Sequence, residues 1–178
     1  MLTISKFLAL FASLNKWQSN DFRSWIFEAG MNYGDQEFWW PSQRQKRPAS
    51  HEGIDFFCYE DAHGGKRFLD QAKVPCPSDG QVVAVCKDFL GETVFVATAD
   101  QTDPIDLFVF AHLVPRIELG QAVRGADAVG VIAPGSDKVP GHLHVSALQG
   151  DWHDLPRDLS WPALNAQKKL QFVYPFLQ

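Results

Sequence analysis

Residues 77–113 read PSDGQVVAVCKDFLGETVFVATADQTDPIDLFVFAHL. Turn residues cluster at Pro77-Ser78-Asp79-Gly80 and again at Asp100–Pro104, which leaves three short runs rich in Val, Phe, Ile and Thr. Gln81–Cys86, Glu92–Ala99 and Ile105–Leu113 are therefore expected as strands, because β-branched and aromatic side chains suit a pleated surface. No helical segment separates them. Strands that follow one another through tight turns pair antiparallel, so the expected core is mainly β and antiparallel. Two further runs extend it, Gly53–Tyr59 and His142–Leu148, and glycine-punctuated segments around Val123 and Val129–Ala133 add two short strands.

Outside the strands the pattern changes. In residues 1–30 the apolar positions Ile4, Phe7, Leu8, Phe11 and Leu14 recur at helical spacing, which predicts a helix packed on the core. A signal-peptide core is the alternative reading of Phe7–Leu14, but no small-x-small cleavage site follows it. A second helix is expected to start after Asn20 or Asp21, bury Phe22, Trp25 and Ile26, and stop at Gly30. The expected organisation is a helical and irregular segment over 1–49 packed on one β domain over 50–178, with a helical turn near Ala163–Leu170 in its tail. A length of 178 residues suits one such core.

Composition excludes several roles. The net charge of −5 argues against a general nucleic-acid binder, which needs a clustered basic surface. No apolar run approaches the ~20 residues that span a bilayer. Cys58, Cys76 and Cys86 contain no C-x-x-C pair and read as small buried hydrophobes, with a Cys76–Cys86 bridge as the alternative.

Chemistry enters with the histidines. His142-Leu143-His144 lies at the start of an apolar strand, where side chains two apart share a face and converge on one site. Two partly exposed histidines on an edge strand would look the same, so this pair is weak evidence alone. His51-Glu52-Gly53-Ile54-Asp55 has an even separation of four, so its imidazole and carboxylate also share a face on an extended chain, and both are good zinc ligands. It is not H-E-x-x-H, since Asp55 stands where the second histidine belongs. His112 ends the apolar strand Leu107–Ala111, a position more often structural than catalytic. His63 and His153 read as surface residues.

In order, the segments His51-Glu52-Gly53-Ile54-Asp55, Pro77-Ser78-Asp79-Gly80-Gln81-Val82, Ala111-His112-Leu113, Gly120-Gln121-Ala122-Val123-Arg124-Gly125 and His142-Leu143-His144 resemble the lysostaphin-like (LytM-type) zinc metallopeptidases over roughly residues 50–150. The resemblance implies an antiparallel β-sandwich of the barrel-sandwich hybrid type. It implies one Zn2+ held by His51, Asp55 and His144, with His112 and His142 as the acid/base and transition-state-stabilising pair. It also implies hydrolysis of a peptide bond in bacterial peptidoglycan, in the periplasm or cell envelope. Degenerate relatives act instead as non-catalytic scaffolds that activate another wall hydrolase, with an envelope protein as partner.

Three features depart from the family pattern. No Arg follows Gly30-Met31-Asn32-Tyr33, Phe110 stands where a Tyr is usual, and Glu60–Lys73 reads as an insertion. Trp39 and Trp40 read as packing of the amino-terminal segment, with the wall of a substrate groove as the alternative. Arg44, Lys46 and Arg47 read as a solvated loop.

Overall fold

In a computed structural model the described residues are 3–17, 22–41, 44–100, 104–153, 155, 161–166 and 168–176. The chain begins with helix α1 (Ile4–Leu14), capped by Thr3, whose hydroxyl accepts a hydrogen bond from the Lys6 amide. Phe7 and Phe11, one turn apart, are fully buried and belong to the main hydrophobic cluster. Burying each such ring contributes roughly 1.5–3 kcal/mol. Phe7 packs against Phe56 and Phe176 at 5.6 and 5.1 Å between centroids. Asn15 ends the helix and ties it down, since its side chain donates to the Lys73 carbonyl and accepts from the Lys73 amide. Among the described residues no helix is long and apolar enough to cross a membrane.

Strands follow in the order β1 (Ser24–Ile26), β2 (Gly53–Phe56), β3 (Cys58–Glu60), β4 (Lys66–Phe68), β5 (Lys73–Pro75), β6 (Gly80–Lys87), β7 (Glu92–Thr98), β8 (Leu107–Pro115), β9 (Ala122–Val123), β10 (Ala128–Ile132) and β11 (Leu143–Gly150). Helix α2 (Trp161–Asn165) and strand β12 (Leu170–Val173) complete the chain. All pairings are antiparallel, in one open sheet ordered β12-β11-β8-β7-β6-β9 and a small sheet β1-β3-β4. Strand β2 pairs with β11, and β10 bridges β8 and β5. The mainly β, antiparallel expectation holds.

Alternation along the central strands explains why both faces of the large sheet are covered. Val94, Val96, Phe108 and Phe110 face the main cluster together with α1, whereas Phe95, Ala97, Leu107 and Val109 face a second cluster with Leu148 and Leu164. Phe110, at the position usually Tyr, is completely buried there.

Two local expectations fail and a third is shifted along the chain. The helix expected to end at Gly30 is absent: β1 lies within that span and pairs with β3, matching Trp25 to Tyr59. Phe22, Trp25 and Ile26 fit helical spacing equally well. Ring packing of Trp25 on Phe11, Phe22, Phe56 and Tyr59 decides for the strand. The proposed cap at Asn20 or Asp21 lies outside the described residues. Gly53–Tyr59 is two strands in different sheets, broken at Phe57. The insertion over 60–73 contains β4 and the start of β5, and the expected turn near Ala163–Leu170 is the short α2, with Leu170 already in β12. All three cysteines are free thiols, and Cys58 and Cys76 are buried.

Candidate metal centre

The register of three strands assembles the site. In β11, His144 lies opposite Asp55 of β2 on one side and Ala111 of β8 on the other. Residue 112 would ordinarily point to the main cluster, like Phe108 and Phe110. A bulge prevents this: two residues of β8, Ala111 and His112, oppose the single Thr93 of β7, and His112 takes a left-handed backbone (φ 66°). Such a bulge re-aims a side chain. It returns Leu113 to the main cluster and frees His112 to line the cleft. His51 precedes β2 and is fixed by its amide donating to the Asp35 carbonyl and its carbonyl accepting from the Gly34 amide.

His51, Asp55 and His144 are all buried and could together hold a metal ion. Asp55 Oδ1 lies 2.8 Å from His144 Nδ1 and 3.2 Å from His51 Nε2, and the two nitrogens are 3.1 Å apart. His51 Nδ1 donates to the Asn32 carbonyl at 3.0 Å, so a neutral ring presents Nε2 as a lone pair. His144 Nε2 meets Ser146 Oγ at 2.7 Å. When that contact carries the His144 proton, three lone pairs point at one another. A cation resolves this arrangement. Tetrahedral zinc with bonds of about 2.0–2.1 Å separates its ligand atoms by about 3.3 Å, close to the spacing here. The donor set therefore fits zinc.

Protonation agrees with that fit. Burial works to raise the Asp55 carboxyl, but His142, His144 and His51 outweigh it and hold it well below the usual carboxylate range. Burial pushes His144 below the usual imidazole range against the pull of Asp55. The directions favour a carboxylate at Asp55 and a neutral imidazole at His144, the forms that bind metal.

The second oxygen of Asp55 is occupied from behind. Trp39 Nε1 donates to Oδ2 at 2.8 Å, and an Arg47 nitrogen lies 3.4 Å from it. Arg47 also donates to the carbonyls of Gly30 and Glu37, and its side chain is only 10% exposed. Of the three basic residues expected in a solvated loop, Arg44 and Lys46 are exposed and Arg47 is not. Trp39→Phe removes the indole donor while keeping most of the packing. Zinc affinity, measured by competition with a chelator, is expected to fall about 10-fold, within the usual range for such outer partners. An unchanged affinity would mean that Asp55 needs no such support.

His142 and His112 complete one wall, with ring centroids 4.7 Å apart. His142 Nδ1 donates to the Pro140 carbonyl at 2.8 Å, and its Nε2 lies 3.8 Å from Asp55 Oδ1. Burial pushes its pKa down to about 4, opposed by the Asp55 charge. His112 Nδ1 donates to Asp88 Oδ1 at 3.0 Å, and the His112 amide donates to Oδ2 of the same carboxylate at 2.9 Å. These groups open on a cleft of about 380 Å³ whose remaining walls include Trp40, Phe89 and Trp161. His63 and His153 are exposed and lie outside this cleft.

The structure thus brings together all five residues singled out in the sequence. The sequence gives no sign of Asp88, Arg47 or Ser146 at the site, and it offers Trp39 only as a packing residue or a groove wall, not as a donor to Asp55. Asp88 reads only as turn chemistry, and nothing in the sequence joins residues 39 and 47 to residue 55.

Gly53 has a steric role between the two motifs. A Cβ there would sit 2.6 Å from Ser146 Oγ and 2.7 Å from His144 Nε2, and would strike the Val145 carbonyl. Only glycine lets β2 approach β11 closely enough for Asp55 to meet His144.

Neither a protein-family model nor a curated protein sequence matches the chain. Among solved structures, LytU is similar with a TM-score of 0.50 and 20% identity, covering 76% of this chain and 80% of that one. The antimicrobial peptidase lysostaphin from Staphylococcus simulans is similar with a TM-score of 0.50 and 17% identity, covering 75% of this chain and 46% of that one. The chain thus spans less than half the length of that lysostaphin. With its antiparallel open sheets and these matches, the chain has the lysostaphin-like (LytM-type) fold.

Proposed function

We propose that the chain is a zinc-dependent endopeptidase that hydrolyses a peptide bond of bacterial peptidoglycan, at a stem cross-link or a bridge, in the periplasm or cell envelope. One observation carries the reading: three metal-competent atoms of His51, Asp55 and His144 lie within 3.2 Å of one another beside two further histidines on an open cleft. Similarity to a peptidase, lysostaphin, supports the reaction type, and the motif resemblance of residues 50–150 is what implies peptidoglycan as the substrate.

Zinc, when bound, polarises the scissile carbonyl as a Lewis acid and lowers the pKa of water from 15.7 toward about 7. The chain's own residues divide the remaining work. His142, with Nδ1–H fixed on the Pro140 carbonyl, offers Nε2 to take the proton of the attacking water and return it to the leaving amine. His112, once protonated, donates Nε2–H to the oxyanion of the tetrahedral intermediate. Trp40 packs on His142 and Phe89 on His112, at 5.6 and 4.5 Å between ring centroids, and each covers one face of its imidazole.

The direct test is metal analysis of the purified protein followed by incubation with cross-linked peptidoglycan and mass analysis of the fragments. One zinc per chain and new amine and carboxyl ends are expected. A chain that holds zinc yet leaves peptidoglycan intact, or that binds no zinc at neutral pH, would overturn the proposal, and the zinc-free outcome would favour the scaffold reading, with a wall hydrolase as partner.

A further inference from the structure

The carboxylate of Asp88 is fully buried, yet the proposed reaction assigns it nothing. It sits in the β6–β7 turn and accepts five hydrogen bonds. Oδ1 takes the amides of Leu90 and Gly91 at 2.8 Å each, and the ring Nδ1–H of His112 at 3.0 Å. Oδ2 takes the Thr93 hydroxyl and the His112 amide, each at 2.9 Å. Turn amides and Thr93 alone would explain a hairpin cap. They do not explain why one carboxylate grips both the backbone and the ring of a histidine at a left-handed bulge residue of the next strand.

We infer that Asp88 is the positioning residue of His112, fixing it as the Nδ1–H tautomer with Nε2 left for the cleft and supplying the counter-charge when that ring is protonated. Three observations support this. First, a carboxylate can only accept, so Nδ1 must carry the proton and Nε2 is the nitrogen left for substrate. Second, holding both the amide and the ring leaves His112 neither its χ angles nor its bulge to vary, which is the preorganisation that a transition-state donor needs. Third, burial favours the neutral acid, but the hydrogen bonds and charge of His112, with the backbone amides, hold the carboxyl below the usual range, so the counter-charge persists at neutral pH. The comparison with His142 sharpens the difference. His142 Nδ1–H rests on a neutral carbonyl, that of Pro140, which fixes the tautomer but brings no formal charge. The two histidines are therefore held differently: His142 Nδ1–H rests on a neutral carbonyl, and His112 Nδ1–H rests on a carboxylate that can balance a positive ring.

This inference rests on the endopeptidase reading for its kinetic part only, and the experiment separates the two. Nitrogen NMR of the imidazoles in the zinc-free wild-type protein needs no activity. It is expected to show His112 protonated at Nδ1 with a slowly exchanging N–H. A His112 in the Nε2–H form, or averaging between tautomers, would overturn the assignment even if the protein digests peptidoglycan. In the zinc-loaded protein, Asp88→Asn is expected to lower kcat by about 10²–10⁴-fold with KM within about 2-fold and zinc content unchanged. Asp88→Glu, which keeps the charge, is expected to recover part of that loss. If Asp88→Asn binds zinc and turns over at the wild-type rate, the role is purely structural and the inference fails. If Asp88→Asn does not fold, the tautomer measured in the wild type decides.

Discussion

Asp55→Ala is expected to abolish zinc binding and peptide hydrolysis together, and it is the most damaging single change in the site. Its Oδ1 faces both imidazoles, at 2.8 Å from His144 Nδ1 and 3.2 Å from His51 Nε2. Without it, two imidazole nitrogens remain, one ligand short of the three that hold a catalytic zinc. His51→Ala and His144→Ala each leave the same deficit and are expected to lose the metal too. Asp55 differs in also neutralising a cation. Its loss leaves the nearly buried Arg47 guanidinium with the Gly30 and Glu37 carbonyls and the faces of Phe38 and Trp40 but without its carboxylate, and removing one partner of a buried pair typically costs about 3–5 kcal/mol. Asp55→Ala should therefore unfold at lower denaturant concentration than His144→Ala, even with both proteins free of zinc. The measurements are zinc stoichiometry after dialysis, peptidoglycan digestion and denaturant midpoints. A variant lacking this carboxylate that still holds one zinc and cleaves normally would remove the basis of the proposed function.

What the sequence discloses depends on whether a residue's partners lie along the chain or across it. The strands of residues 92–98 and 107–115 are legible because burial on both faces demands an apolar run bounded by turns. Strand β4 is not: Lys66, Arg67 and Phe68 are all exposed, so no burial pattern marks them. Strand β1 is misread because apolar residues at 22, 25 and 26 satisfy a helix as well as a strand. Only the distant Tyr59 and Phe56 separate the two. The site divides in the same way. Even spacing within His51–Asp55 and within His142–His144 announces that each pair shares a face, and family likeness joins the two. Trp39, Arg47 and Asp88 act through loops that fold back from elsewhere. Each looks like ordinary packing, a solvated charge or a turn until Asp55 and His112 are seen beside them.

The second large effect is expected to separate chemistry from metal. His142→Ala and His112→Ala should each keep about one zinc per chain yet lower kcat by about 10²–10⁴-fold, the usual contribution of a positioned acid or base. Retention of metal follows from geometry, since neither ring belongs to the group of three converging ligand atoms and His142 Nε2 is 3.8 Å from Asp55 Oδ1. The fold should also survive. After His112→Ala, Asp88 still accepts from the amides of residues 90, 91 and 112 and from Thr93. After His142→Ala, ring contacts to Trp39, Trp40 and His112 disappear, each contributing about 0.5–1.5 kcal/mol in comparable aromatic pairs. His142→Gln keeps much of that volume without a basic ring nitrogen, so it should be more stable than the alanine variant and equally inactive. That combination assigns the loss to proton transfer instead of collapse of the cleft. The double variant should be little worse than either single one, because groups that act on one transition state are not additive. Either single variant turning over within about 3-fold of wild type would mean that the proton passes through some other group.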